Sequence, residues 1–156
     1  GDRATAYVDG LRREMEAIER DAASLPRRPR VYFEEWDEPP ITGIRWVAEL
    51  IRIAGGDDIF PERALEPLAK ARILEDAGEV IRRAPDIILG SWCGKKFRPE
   101  KVAARAGWDA IPAGGDGQLF EVKSPISLQP GPAAVTDGVA EIARIIREWS
   151  KEEGAE

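Results

Sequence analysis

Residues 30–34 read Arg30-Val31-Tyr32-Phe33-Glu34, and this short run rich in β-forming residues predicts a buried strand. Further short strands are predicted at three places along the chain: residues 87–89, 110–112 and 119–122. Segments that predict helices lie between and after these runs: residues 44–54, 79–84, 99–106 and 135–149. Strands that alternate with helices predict an α/β fold, here a Rossmann-like lobe with a mostly parallel sheet flanked by helices.

A long helix precedes the first strand and stands outside this alternation. From Tyr7 to Ala22 the apolar residues recur every three or four positions, which predicts a helix with one apolar stripe over about residues 4–24. Pro26 and Pro29 end this helix before the first strand begins.

The composition excludes several kinds of chemistry. The 156 residues carry 23 lysines and arginines against 29 aspartates and glutamates, and the resulting net charge of −6 disfavours binding to nucleic acid or to an anionic membrane. Histidine is absent, which excludes catalytic triads and zinc sites that need an imidazole. The single cysteine cannot form an internal disulfide. We expect no metal site, and no apolar stretch approaches the roughly 20 residues that span a bilayer.

Ligands of open α/β sheets bind beyond the carboxyl ends of the strands. Three segments are expected there, namely residues 35–43, 90–97 and 123–132. Trp36 and Trp92 lie in the first two, and Trp46 follows the first on the next helix. A tryptophan ring suits a large planar ligand, and the alternative for each of the three is that it covers the local core.

Polar groups in the same segments are further candidates. Lys95, with Lys96 and Arg98, forms a basic cluster that can hold a ligand anion before the next helix, although solvated lysines are the simpler interpretation. Gln129 and Pro130 precede the terminal helix, where the Gln129 side chain can reach a ligand amide. The alternative there is plain helix initiation.

Carboxylates crowd the end of the first strand. Paired carboxylates can divide acid and base roles, so Glu34 and Glu35 together with Cys93 keep a small α/β enzyme open as an alternative function. A solvated acidic loop is the other interpretation, and no histidine is present to activate the thiol of Cys93.

The same stretches resemble one lobe of the helical-backbone (class III) substrate-binding proteins that serve ABC importers of vitamin B12, iron-siderophores and haem. Glu34-Glu35-Trp36 and residues 91–96 are most similar to the corrinoid-binding branch. The other stretches that carry the resemblance are residues 28–33, 43–51, 54–56, 59–60, 84–88, 106–108, 117–120, 129–132 and 137–138.

The resemblance implies a domain organisation. Residues 1–27 are expected to be the helix that connects the two lobes in this family, and residues 28–156 the C-terminal α/β lobe. The N-terminal lobe is expected to be missing from this chain. Family members dock on their permease through an acidic residue of each lobe, and here Glu75, Asp76 and Glu79 are the candidates.

The resemblance also implies a function without catalysis. The chain is expected to bind a corrinoid such as vitamin B12 outside the cytoplasm and to help deliver it to an ABC permease dimer. We expect contacts from Glu35, Trp36, Trp46, Trp92, Lys95, Gln129 and Pro130. A siderophore or haem held by the basic cluster is the alternative within the family.

Overall fold

The computed structural model describes residues 1–92, 94–123 and 132–154. The α-helices are α1 Asp2–Ala23, α2 Arg45–Ala54, α3 Pro61–Ala64, α4 Gly78–Arg83, α5 Pro99–Ala103, α6 Pro112–Gly115 and α7 Pro132–Gly154, with 3₁₀ turns at Ala69–Arg72 and Trp108–Ala110. The strands are β1 Arg30–Asp37, β2 Pro40–Thr42, β3 Asp57–Asp58, β4 Ile87–Gly90 and β5 Leu119–Glu121. The predicted α/β fold and the long first helix are confirmed.

The sheet is open and mostly parallel. Its order is β2-β1-β4-β5, and β3 pairs with the first residues of β1 on the same edge as β2. Strands β1, β4 and β5 run parallel, with Val31 opposite Ile87 and Ile88 opposite Leu119, whereas β2 folds back antiparallel to β1. The carboxyl ends of β1, β4 and β5 therefore lie side by side, as the alternation of strands and helices predicts.

Alternate residues of the central strands fill two cores, one on each face of the sheet. Val31 and Phe33 pack with Ile87 and Leu89 against helices α2 and α7, and the apolar stripe of α1 lies against the same core. On the other face the core is built around Tyr32 and Ile88 and contains Phe60, Val80, Phe97, Val102, Trp108 and Ile111. The lobe thus has three layers, helix on sheet on helix.

Two local predictions are wrong. Residues 35–43 are expected to form a loop, but β1 continues to Asp37 and forms a hairpin with β2, because the backbone of residues 40–42 pairs with that of β1. Residues 110–112 are expected to form a strand, but they join a 3₁₀ turn to α6, with Pro112 in the first turn of α6. The side chain of Ile111 is still buried in the core, as the side chain of a strand residue would be.

The end of α2 agrees with its prediction. Gly55 follows the last residue of α2 with φ of 106°, a left-handed conformation that glycine adopts without strain, and its N–H caps the helix. Among the described residues, no helix is long and apolar enough to cross a membrane.

Candidate functional site

The candidate site lies at the carboxyl ends of β1 and β4. Trp36 and Asp37 end β1, and Trp92 and Lys95 follow β4. The parallel pairing of the two strands, with Glu34 opposite Gly90, brings these four side chains together at one edge of the sheet. Residues separated by more than fifty positions therefore form one cluster.

Lys95 is at the centre of this cluster. Its Nζ lies 2.6 Å from Oδ1 of Asp37, 4.5 Å from the centre of the Trp36 ring and 5.3 Å from that of Trp92. Both ring distances allow attraction between a cation and an aromatic ring. Burial alone raises the pKa of Asp37, but the ion pair with the ammonium group of Lys95 outweighs it and holds this pKa below its ordinary value.

Trp36 has an accessible apolar side. Its Nε1 donates a hydrogen bond of 3.1 Å to the carbonyl of Glu38, which fixes the ring, and the ring is partly buried. Trp36 also lines a surface depression of about 520 Å³ with Glu35, Ile41 and Ala69. A flat aromatic wall beside an ammonium group can hold a large ring system that carries polar substituents.

Trp92, unlike Trp36, is buried. Only 5% of its surface is exposed, its Nε1 donates a hydrogen bond of 3.0 Å to Glu34, and its ring meets Phe97 edge to face at 4.9 Å. Trp92 belongs to one of the two cores and supports Lys95 from below. Little of its ring is left for direct contact with a ligand.

Glu34 connects three elements beneath the cluster. It is fully buried and accepts hydrogen bonds from Tyr32, Trp92 and, at 2.7 and 2.9 Å, from both terminal nitrogens of Arg105. Burial, followed by the charge of Glu34, raises the pKa of Tyr32 well above its ordinary value. Burial acts to lower the pKa of Arg105, but the hydrogen bonds and charge of Glu34 outweigh it and the pKa is raised.

Sequence reasoning missed Arg105. It stands 71 positions from Glu34, just after α5, and its guanidinium lies 4.6 Å from the centre of the Trp108 ring. The local sequence indicates a contact between Arg105 and an aromatic ring only through its position two residues before Gly107-Trp108. It does not indicate that the partner carboxylate is Glu34.

Glu35 makes a structural ion pair. Its carboxylate is 8% exposed and bonds to Arg72, which also donates to the carbonyls of Thr42 and Glu66. This pair attaches the Ala69–Arg72 turn to the β1–β2 hairpin. Glu35 lines the depression next to Trp36 with its carboxylate already paired with Arg72. Its predicted contact with a ligand stays a prediction.

The remaining predicted ligand residues are Trp46, Gln129 and Pro130. Trp46 is in the first turn of α2, partly buried against the core that contains Val47. Gln129 and Pro130 lie outside the described residues, as does Cys93. The contacts predicted for these residues stay untested.

The geometry disfavours the enzyme alternative. Glu34 is bonded to Arg105 and Glu35 to Arg72, so each carboxylate is engaged in a buried ion pair and neither is placed to exchange protons with a substrate. Within residues 1–92, 94–123 and 132–154, no group of three carboxylates, histidines or cysteines is placed to hold a metal ion.

The three acidic docking candidates lie at the start of α4. Asp76 and Glu79 both bond to Arg82, which lowers the pKa of each carboxyl, and Glu79 also pairs with Arg83. Glu75 is exposed. Their role in docking stays a prediction.

Known proteins share this fold. A family model described as periplasmic binding protein matches residues 1–126, whereas no curated protein is similar enough to count as a match. A periplasmic binding protein of Veillonella parvula is 23% identical with a TM-score of 0.75, over 94% of this chain and 51% of that one.

Two further solved structures differ in what they bind. The periplasmic haem-binding protein of Roseiflexus sp. RS-1 is 19% identical with a TM-score of 0.72, over 96% of this chain and 56% of that one. The periplasmic vitamin B12-binding protein of Vibrio cholerae is 19% identical with a TM-score of 0.65, over 90% of this chain and 52% of that one.

These likenesses establish the kind of fold, and the chain spans about half the length of the solved relatives. The resemblance to one lobe of the helical-backbone substrate-binding proteins is confirmed. Because the family model matches residues 1–126, well over half of the sequence, the chain belongs to the periplasmic binding protein family.

Proposed function

We propose that this chain is the C-terminal ligand-binding lobe of a substrate-binding protein that delivers a corrinoid such as vitamin B12 to an ABC permease dimer outside the cytoplasm. Residues 28–156 form the lobe and residues 1–27 the helix that connects it to an N-terminal lobe. The observation that carries the proposal is the Trp36–Lys95 cluster at the carboxyl edge of the sheet.

The cluster suits a large ring with polar edges. The depression at Trp36 offers an apolar wall, and Lys95 offers an ammonium group that can bind a phosphate or amide oxygen. A corrinoid carries amides and a phosphate around a rigid ring, and it can bring its own axial base. The absence of histidine from this chain therefore does not weaken the proposal.

Haem is the second candidate, because Lys95 can also pair with a carboxylate and a haem-binding relative shares the fold. Haem iron normally takes a protein ligand such as histidine, tyrosine, methionine or a thiolate. Histidine is absent, Tyr32 is fully buried, and Tyr7 and Met15 lie on α1. Cys93 comes three positions after the end of β4 in the sequence, so the haem alternative needs either Cys93 or a ligand from the proposed N-terminal lobe to bind the iron.

The surface of α1 supports the proposed second lobe. Tyr7 and Val8 are 54% and 46% exposed, and the stripe continues into an apolar groove of about 850 Å³ that is lined in part by Leu11, Met15 and Ile53. An upstream lobe that packs on the first turns of α1 would cover this stripe. One of the three acidic residues Glu75, Asp76 and Glu79 would dock the lobe on the permease.

Ligand titration of the full-length gene product tests the proposal. We expect cyanocobalamin to quench tryptophan fluorescence saturably, and Trp36→Ala and Lys95→Met each to weaken binding about tenfold, the equivalent of about 1.4 kcal/mol. Lys151→Met is the matched control, because Lys151 is exposed near the end of α7, and it should bind like the wild type.

Haemin titrated in parallel separates the alternatives. Saturable binding of haemin alone would replace the corrinoid by haem, and its loss in Cys93→Ser would identify Cys93 as the iron ligand. Binding of neither compound would reject the proposed cleft. Cyanocobalamin binding that is unchanged in both Trp36→Ala and Lys95→Met would leave the function standing but move the site elsewhere.

A further inference from the structure

Arg105 and Glu34 have no part in the proposed ligand contacts, yet they lie directly beneath them. We infer that Arg105 is a positioning residue of the ligand site: through Glu34 it holds the indole of Trp92, and through Trp92 it holds Lys95 beside Trp36. This inference rests on the proposed function. It assigns a role to the buried ion pair of Arg105 and Glu34, which the proposed function does not explain.

The first link is the ion pair itself. Arg105 Nη1 lies 2.7 Å from Oε2 of Glu34 and Nη2 lies 2.9 Å from Oε1, a two-point contact that fixes the plane of the carboxylate. The guanidinium stacks on Trp108, and its Nη2 lies 3.5 Å from the carbonyl oxygen of Asp37. Arg105 therefore attaches the turn after α5 to the end of β1.

The second link is the hydrogen bond from Trp92. With Arg105 in place, Oε1 of Glu34 faces the indole Nε1 at 3.0 Å and Oε2 faces the hydroxyl of Tyr32 at 2.6 Å. Because the Glu34 side chain has no exposed surface, loss of Arg105 would leave its carboxylate buried without a counter-ion. The carboxylate would then lose the two-point contact that fixes its plane and could rotate, which disturbs the bond to Trp92.

The third link joins Trp92 to the ligand surface. The Trp92 ring lies 5.3 Å from Nζ of Lys95, and the same Nζ lies over Trp36 and beside Asp37. Lys95 is thus held on a support whose orientation Arg105 sets. The alternative is that Arg105 and Glu34 stabilise the lobe without affecting the site.

Four variants separate these alternatives. Arg105→Met removes the ion pair. Arg105→Lys keeps the positive charge but has a single ammonium group in place of the two terminal nitrogens. Trp92→Phe keeps an aromatic ring without the N–H. Arg144→Met is the matched control, because Arg144 is 55% exposed and pairs with Glu148 on the surface of α7. The first readout is hydrogen exchange of the Trp92 indole N–H in this chain, which Trp92→Phe identifies in the NMR spectrum.

The second readout is the Kd for cyanocobalamin in the full-length gene product. Loss of one buried hydrogen bond corresponds to about a tenfold change, so we expect Arg105→Met to speed indole exchange and to raise Kd each by about tenfold or more. Arg105→Lys should recover part of both changes, and Arg144→Met should alter neither.

A double mutant decides between positioning and general stabilisation. If Arg105 acts through Trp92, Trp92→Phe raises Kd by itself, and adding Arg105→Met raises it by no more than about twofold further. If the two substitutions raise Kd independently, so that their fold-changes multiply in the double variant, the inference is overturned. An Arg105→Met variant that is less stable but keeps the wild-type indole exchange and Kd would overturn it as well.

The two proposals fail in different ways. If Arg105→Met does not fold, an unchanged Kd in Trp92→Phe suffices to reject the inference. A wild type that does not bind cyanocobalamin refutes the proposed function, while indole exchange in Arg105→Met still shows whether Arg105 holds Trp92.

Discussion

Replacing Asp58 by asparagine should stabilise the lobe at neutral pH and leave it almost unchanged in acid. Asp58 ends β3, and its Oδ1 accepts a hydrogen bond of 3.1 Å from the backbone N–H of Phe60. Burial raises its pKa from 3.8 to about 6; the Phe60 hydrogen bond and Arg83 oppose this rise, whereas Glu62 adds to it. Asparagine keeps the acceptor oxygen and removes the partly buried charge.

The direction of the pH effect follows from the raised pKa. The folded lobe binds the Asp58 proton more tightly than the unfolded chain does, so this contribution to stability is complete below about pH 3.8 and is lost as the pH rises through about 6. The difference in pKa corresponds to about 3 kcal/mol at pH 7.5 and to about 1 kcal/mol at pH 4.5. The new amide also needs partners, so we expect a gain of about 1–3 kcal/mol at pH 7.5.

Urea denaturation followed by tryptophan fluorescence measures both values. For a domain of this size a gain of 1 kcal/mol raises Tm by about 2–4 °C, which offers a second readout. Asp57→Asn is the control, because the Asp57 side chain is 62% exposed and its surface pair with Arg28 contributes less than about 1 kcal/mol. An Asp58→Asn variant that is no more stable than the wild type at pH 7.5, or whose gain is the same at pH 4.5, would refute the reasoning.

Three other substitutions test the packing of the lobe, two of them next to the site. Arg72→Met should cost about 3–5 kcal/mol in urea denaturation because it leaves the Glu35 carboxylate buried without a partner, and the double variant with Glu35→Met should recover most of that loss. Gly90→Ala should cost about 1–3 kcal/mol and shift Trp92 fluorescence, because the new Cβ would lie 2.1 Å from the Phe97 ring. Gly10→Ala, on α1 with open space around it, should instead raise Tm and stabilise by about 0.5–1 kcal/mol. Equal effects at Gly90 and Gly10 would contradict the packing described for Phe97.

The elements that sequence reasoning predicts correctly are those that local patterns determine. The apolar stripe of α1 and the run at Ile87-Ile88-Leu89 each depend on neighbours within a few positions. The hairpin of β1 and β2 was missed because Pro39 and Pro40 are typical of loops, and its strand pairing is visible only once the backbone of residues 40–42 meets β1.

The chemistry of the site is less predictable because its partners are distant in sequence. Alternation along β1 does place Tyr32 and Glu34 on the same face, and this pair is observed at 2.6 Å. Nothing near Glu34 or Glu35 indicates that Arg105 and Arg72 neutralise them, so the sequence suggests an exposed acidic loop where the structure has two buried ion pairs.

The end of β1 shows why alternation alone misplaces the ligand surface. A regular strand puts Trp36 and Asp37 on opposite faces, yet Lys95 approaches the ring of one and the carboxylate of the other. The register between β1 and β2 shifts between Glu34 and Trp36, and such an irregularity redirects the side chains that follow it. One lysine can therefore contact both residues, while Glu34, just before the shift, keeps its place in the buried network. The boundary between supporting and ligand-facing residues falls within three positions of one strand, too close for composition or spacing to separate them.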